Sequence, residues 1–462
     1  MSELPTVTGH PRRWFILSIL TLSLVMVVAS VSSMNLALPA IQRGLNATAS
    51  QIVWINASYA LMLAAILLPS GALGDRFGRR GALLVGLGIM LTGSVLGATS
   101  GSAAQIIAWR CLMGVGAGLV MPATLSILTT VFPANERSRA IAIWAGFAGA
   151  GGAIDILAAG VLLEFFWWGS IFFVNIPIAV VLFVLTVLFV PSSRDSLRHP
   201  MDPLGGLLSA GALAALVFAL VQGPEYGWTD PRILGSAVTS VLLGRAWVVA
   251  ERRREHPMLD PSLFRIPRFG LGSLGIASAF AVMFGMFFGF AQFMQFVLGY
   301  SALDTAIRTL PFAATMIAFS QLGPRLASRI GVRSVIAGGL LLTSIGLLWM
   351  SAVNVSSGYL QVVGGLSLAA AGMALVFPAA TEAIVGSLPQ DKAGVASAVN
   401  DTTREVGAAA ARLTLRSLLS PGDRPTVRHP FHPLPATTLP APTGWTLRTS
   451  RPPTGSSQHT HN

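Results

Sequence analysis

Charge is scarce in this chain. Asp, Glu, Lys and Arg make up only 10% of its 462 residues, against 53% apolar types, where a soluble domain carries about 25% charged residues. A water-soluble fold of this length would have to hide more apolar surface than a core can hold, so the composition describes a polytopic membrane protein. Cysteine is nearly absent: Cys111 stands alone, which excludes an internal disulfide and a thiolate metal cluster. P-loop, HExxH and nucleophile-elbow patterns are all missing, so neither ATP-driven work nor hydrolysis has residues to carry it. The expectation is a chain that is no enzyme and needs neither metal nor cofactor.

The net charge of +12 does not point to nucleic acid, because the arginines sit in short clusters between apolar runs and form no basic stripe with interleaved aromatics. A spanning helix needs about 20 mostly apolar residues. Such runs fall near 14–36, 52–73, 81–99, 104–131, 140–163, 170–190, 204–222, 233–250, 270–297, 309–324, 334–353 and 360–384. The first follows a basic flank and is longer than the core of a signal peptide, so it is expected to be retained.

Loop charge sets the expected orientation. Alternate loops hold Arg12 and Arg13; Arg76, Arg79 and Arg80; Arg137 and Arg139; Arg194 and Arg198; Arg252, Arg253, Arg254, Arg265 and Arg268; and Arg325, Arg329 and Arg333. The opposite loops hold Arg43, Arg232 and Arg308. The positive-inside rule puts the first set, and the N-terminus, in the cytoplasm.

The chain also repeats itself. "AQIIAWRCLMGVGAGLVMPA" from 104 matches "LQVVGGLSLAAAGMALVFPA" from 360 at an offset of 256, which also carries Pro133 onto Pro389. "LGDRFGRR" matches "LASRIGVR" at an offset of 253. Two related halves of like orientation are the plan of transporters that rock around a central site. Spans 1–4 correspond to 9–12, leaving spans 7 and 8 as an inserted pair. The expected divisions are a cytoplasmic segment 1–13, a first half 14–190, the inserted pair 191–268, an incomplete second half 269–405 and a tail 406–462.

Between spans 2 and 3 lies "GALGDRFGRR", residues 71–80. Gly71, Gly74 and Gly78 let a backbone pass close to its neighbours. Asp75 can accept from amides at a helix N-terminus or pair with an arginine. In the fourth span, "GVGAG" has no strand before it and is a small-residue helix contact instead of a dinucleotide loop. Gly114, Gly118 and Pro122 belong to that packing surface.

Together these segments resemble the major facilitator superfamily, in its fourteen-helix drug:proton antiporter branch. "GALGDRFGRR" is similar to the signature loop after helix 2, and "WRCLMGVGAG" to the helix 4 motif, with Met113 where a Gln is usual. "NLALP", "FFVNIPIAV" and "GVASAVNDTTREVG" resemble further segments of the branch, over residues 14–407. The resemblance implies an all-α membrane fold of two six-helix halves with an inserted pair. It implies proton-coupled export of small lipophilic compounds, drugs or antibiotics, by a monomer in the cell membrane. It assigns Gly71, Gly74, Asp75, Arg76, Gly78, Arg79 and Arg80 to an inward gate. An uptake symporter of the same fold, or an inserted protein that does not transport, are the other readings open at this point.

Ionisable residues within spans cost roughly 3 kcal/mol each on insertion scales, so they are functional candidates. Arg110 in the fourth span and Asp155 in the fifth stand at matching depth, roughly 9–12 Å below the outer surface at 1.5 Å per residue, and are expected to pair. Asp155 stands in "AGAGGAIDILAAG", where the branch usually has a Gly-Pro pair. Relatives commonly carry an Asp five positions before the Asn of the helix 1 motif; here that position is Ser30, which cannot exchange protons near neutrality. Proton coupling would then fall to Asp155, held near Arg110, or to Glu382. "FAVMFGMFFGFAQFMQF" is either lipid-facing bulk or a pocket for varied lipophilic molecules.

After "NDTTREVG" the sequence changes character. Residues 406–462 hold nine Pro, six Arg and four of the seven His, the composition of a disordered tail. Arg412 and Arg416 fall where a thirteenth span would have its apolar centre. A reading-frame shift near 407–411, or a naturally shortened relative, accounts for this.

Overall fold

The computed structural model describes residues 9–193, 202–254, 257–300, 302–353 and 357–419. Eleven helices among them are long and apolar enough to cross a membrane. The elements in order are α1 (Arg13–Leu45), α2 (Ala49–Phe77), α3 (Arg79–Ala98), α4 (Ala103–Val131), α5 (Ala134–Phe165), α6 (Ser170–Phe173), α7 (Asn175–Phe189), α8 (Pro203–Tyr226), α9 (Pro231–Arg252), α10 (Pro267–Gln292), α11 (Ala302–Ser320), α12 (Leu322–Ile330), α13 (Val332–Ser351), α14 (Tyr359–Val385) and α15 (Ala393–Leu419).

Helix ends follow local chemistry. Thr48 and Gln51 form a reciprocal capping box at the start of α2, each side chain accepting from the other's backbone amide at 3.3 and 2.9 Å. The sixth span loses one helical hydrogen bond near Val174, whose backbone stays helical, because Pro177 has no N–H to offer the carbonyl one turn back. A single residue, Gly78, separates α2 from α3, at φ 113°. Its counterpart in the second repeat, Gly331 at φ 84°, separates α12 from α13. Both positions are closed to ordinary L-residues without strain.

The sequence repeat has a packing counterpart. A Cβ on Gly86 would stand 2.8 Å from the Gly116 carbonyl, and one on Gly116 2.9 Å from that of Gly86, so α3 and α4 meet backbone to backbone. Gly339 and Gly372, their equivalents by the two offsets, do the same for α13 and α14. Without water to drive association, such close backbone contact supplies the van der Waals energy that joins membrane helices. α10 and α15 approach as closely where Gly407 lies on the Ala277 carbonyl. The inserted helices are attached asymmetrically: α8 packs on α2 and α15, whereas α9 packs chiefly on α8.

Two sequence expectations need correction. The tenth span, placed at 309–324, is α11 from Ala302 to Ser320, with a break at Gln321. The Asp304–Arg308 ion pair at 2.9 Å lies one turn apart on this helix; two charges lower its hydropathy, so a scan for apolar residues starts too late. The tail, set to begin at 406, yields instead to α15, which runs on to Leu419. Four alanines at 408–411 are strong helix formers, and Ala408, Ala409 and Ala411 are buried. Arg194 and Arg198, and the chain after Leu419, lie outside the described residues, as do the side chains of Arg412 and Arg416.

Adjacent glycines on α13 test the packing argument. Gly339→Ala should destabilise the protein by about 1–3 kcal/mol, as overpacking does, whereas Gly338, with nothing within 4 Å of its Cβ position, should accept alanine with no loss of stability. Thermal unfolding of both variants in detergent reads the difference; equal melting temperatures would contradict the backbone contact.

Candidate functional site

The charged loop between α2 and α3 makes a defined clasp. Asp75, 7% exposed in the last turn of α2, accepts hydrogen bonds from the amides of Gly394 at 2.9 Å and Val395 at 3.1 Å. These are first-turn amides of α15, which no helical carbonyl can satisfy. Arg79, at the start of α3, donates to Asp75 from Nε at 2.8 Å and lies 2.7 Å from it through Nη2. Its Nη2 also donates to the Gln390 carbonyl at 3.1 Å, and Gln390 Nε2 donates to the Thr129 carbonyl of α4 at 3.3 Å. The first repeat thus holds the start of α15 by a carboxylate, a guanidinium and a backbone carbonyl.

The glycines allow this approach unequally. A Cβ on Gly71 would stand 2.5 Å from the Gly394 carbonyl, and one on Gly394 2.5 Å from that of Gly71. Gly74 is different: its nearest neighbour would be Ala82 Cβ at 3.7 Å, an ordinary contact, so close approach does not require glycine there. Arg76 lies over the Phe77 ring at 5.7 Å, and Arg80 donates to the Val187 carbonyl of α7.

A second polar centre lies deeper. Arg110 on α4 is 1% exposed; it donates from Nη1 to the Ser30 carbonyl of α1 at 2.7 Å and from Nε to the Ile55 carbonyl of α2 at 3.2 Å. Its guanidinium lies 4.3 Å from the Tyr59 ring centre, and Tyr59 donates to the Val27 carbonyl at 3.0 Å. Three helices are joined around one cation. Nearby, Gly114 packs on the Tyr59 carbonyl and Gly118 on Ile66. Pro122, lacking an N–H, frees the Gly118 carbonyl one turn back, and Ser70 of α2 donates to it at 2.5 Å.

The expected Arg110–Asp155 pair does not form. Matching depth was not enough, because Arg110 turns toward α1 and α2 while Asp155 on α5 faces α1 at Ser33. Asp155 Oδ2 is buried and without a hydrogen-bond partner. Ser30 Oγ donates within its own helix, to the Met26 carbonyl at 2.9 Å. Glu382 lies in the last turn of α14, toward the arginine-rich end, and accepts from Ser138 of α5.

Sequence reasoning passed over a third centre, in α15. Asn400 and Asp401 are fully buried and Arg404 is 4% exposed. Arg404 Nη1 lies 3.3 Å from Asp401 Oδ1, to which Asn400 donates at 3.1 Å. The Arg404 guanidinium stands 4.7 Å from the Phe280 ring centre and 5.3 Å from that of Trp144. With Ile276, Phe377 and Thr381 these side chains line a small cavity of about 10 Å³, room for about one water, between α5, α10, α14 and α15. Phe280, Met283, Met286, Phe290 and Met294 are all buried, so these members of the Phe/Met-rich stretch face protein. The signal was present in "NDTTREVG", but arginines downstream made the helix carrying it look broken. Among the described residues, no group of three His, Cys, Asp or Glu is placed to hold a metal.

Helix packing and the clasp between repeats together define a membrane transporter. The profile described as Major Facilitator Superfamily matches residues 20–411, and the chain belongs to that family. It is 33% identical over 400 residues to the multidrug resistance protein Stp of Mycobacterium tuberculosis (strain CDC 1551 / Oshkosh), covering 86% of this chain and 74% of that one. It is 32% identical over 413 residues to the tetracenomycin C resistance and export protein of Streptomyces glaucescens, covering 88% and 76%. It is 32% identical over 418 residues to the multidrug efflux pump LfrA of Mycolicibacterium smegmatis (strain ATCC 700084 / mc(2)155), covering 90% and 83%. The fold is shared with the human organic anion transporter MFSD10, at TM-score 0.65 and 16% identity over 88% of this chain and 94% of that one. The chain is therefore a multi-pass membrane transporter of the alternating-access kind.

Arg110→Lys keeps the charge but cannot fork across two carbonyls. Losing one such charge-assisted bond costs about 1.5–3 kcal/mol. The variant should unfold at lower temperature than the native protein in detergent; an unchanged melting temperature would show that the fork does not hold α1, α2 and α4 together.

Proposed function

We propose that this transporter exports small lipophilic compounds, drugs or antibiotics, in exchange for inward-moving protons. Its relatives include proteins named for multidrug efflux and for resistance and export of an antibiotic. The arginine-rich end, with the N-terminus, faces the cytoplasm by the positive-inside rule, and the chain works as a monomer in the lipid bilayer. The halves are the repeats of the sequence, with α8 and α9 as the inserted pair.

The observation that carries this reading is the grip of Asp75 on the first turn of α15. It joins the first repeat to the second at the cytoplasmic end, and both partners are charge-matched: a carboxylate at a positive helix terminus, neutralised on its other side by Arg79. A clasp of this kind must open when the halves rock, so its strength sets how often the inward path appears. Asp75→Asn keeps one acceptor but removes the charge. Transport of a fluorescent dye into inverted vesicles should fall about tenfold, the equivalent of ~1.4 kcal/mol, at equal expression. Native rates in this variant would remove Asp75 from the gate.

Asp155 is the proposed proton carrier of the first half. The carboxylate lies against Ser33 of α1 and keeps one buried oxygen without a hydrogen-bond partner, and Arg110, expected beside it, turns to α1 and α2 instead. An isolated ionised carboxylate is costly in apolar surroundings and is neutralised by a proton, which water reaching the site from one side or the other can deliver or remove. Asp155→Asn should uncouple dye efflux from an imposed pH gradient, leaving only downhill movement of dye. Efflux that still responds to the gradient as in the native protein would assign coupling to another carboxylate.

A further inference from the structure

The cytoplasmic end carries another link between the repeats, away from Asp75. Ser138, near the start of α5, donates to Glu382 Oε1 in the last turn of α14 at 2.5 Å. Arg137, next to it, has a buried Nε without a partner and lies within the field of Glu382. The sequence repeat gives this contact its meaning. At the offset of 256 that carries Pro133 onto Pro389, Ser138 corresponds to Gly394, the residue whose amide Asp75 holds.

Each repeat is therefore gripped at the same place, the first turns of the helix after that proline, by a carboxylate of the other repeat. The carboxylates themselves are not equivalent. The counterpart of Asp75 at the offset of 253 is Ser328, whose hydroxyl donates to the Arg325 carbonyl of its own helix at 2.8 Å. Glu382 approaches from the neighbouring helix α14 and reaches the target that Ser328 leaves untouched.

We infer that Glu382 is a second latch, closing the cytoplasmic end from the opposite repeat, and is a positioning residue of the transport cycle and not a proton carrier. The inference rests on the reading of Asp75 as a gate. One latch alone leaves the halves free to pivot about it. Two latches with opposite polarity, each crossing the junction at a separate point, resist both twisting and opening, and a carboxylate–hydroxyl bond is short and charge-assisted.

The test is a distance distribution between the halves in the full-length protein in lipid nanodiscs. Spin labels are placed at Phe77→Cys and Ile330→Cys in a Cys111→Ser background. These two positions are equivalent in the repeats and 67% and 57% exposed. Glu382→Gln and Ser138→Ala should each raise the ratio of long to short distances about fivefold, as loss of one net hydrogen bond does. Combining Glu382→Gln with Asp75→Asn should raise it further than either alone. Unchanged distances in both latch variants, while Asp75→Asn shifts them, would overturn the second latch and leave the gate standing. No shift in any variant, Asp75→Asn included, would overturn both. If Glu382→Gln removes the pH dependence of dye efflux with distances unchanged, Glu382 carries protons and the latch is refuted.

Discussion

A polar group in hydrocarbon has only the protein to answer it, and the fold is arranged around that constraint. Arg110 is answered by two backbone carbonyls and a tyrosine face, Asp75 by two helix amides and Arg79. Arg404 is answered by Asp401 and two aromatic rings. Each of these sets draws on more than one helix. The desolvation cost of one side chain therefore becomes a restraint on how neighbouring helices sit, since moving any helix away would strip a buried charge of its partner.

Glycine supplies the complementary half of the arrangement. Carbonyls can reach a guanidinium, and a carboxylate can reach a helix end, only where backbones lie unusually close. Gly71 against Gly394, and Gly86 against Gly116, are such places. The polar contacts and the small-residue contacts are two consequences of one geometry. The same pattern at Gly339 and Gly372 in the second repeat indicates that packing within each repeat was kept while the charged groups between them diverged, as Ser328 opposite Asp75 illustrates.

Much of this was legible in the sequence. Apolar runs located the helices, and the recurrence of Gly and Pro at constant offset identified the repeat. The residues of the clasp were readable because Asp75, Arg79 and Gly78 lie within a few positions of one another. What they hold was not, since Gly394 and Val395 contribute only backbone amides. Arg110 was recognisable as a buried cation from its apolar setting, yet its partners are carbonyls of Ser30 and Ile55, which no residue type announces. Depth alone suggested that Asp155 would pair with it. The Asp401–Arg404 centre was obscured for a different reason: charge inside α15 and beyond it lowered the hydropathy of the whole segment, and only tertiary burial distinguishes the two.

The bond from Ser70 to the carbonyl released by Pro122 has a mechanical consequence. Together with the close seat of Gly114 on Tyr59 and the Arg110 fork, it ties α2 to α4 at several levels along their length. A pair pinned at several heights behaves as a stiff beam, with Asp75 at one tip and Arg110 well along its length. A small tilt of that beam becomes a larger displacement at the tip, and the displacement arrives without bending the helix in between. Proline, usually a point of weakness in a helix, here furnishes the rivet that lets the beam transmit torque.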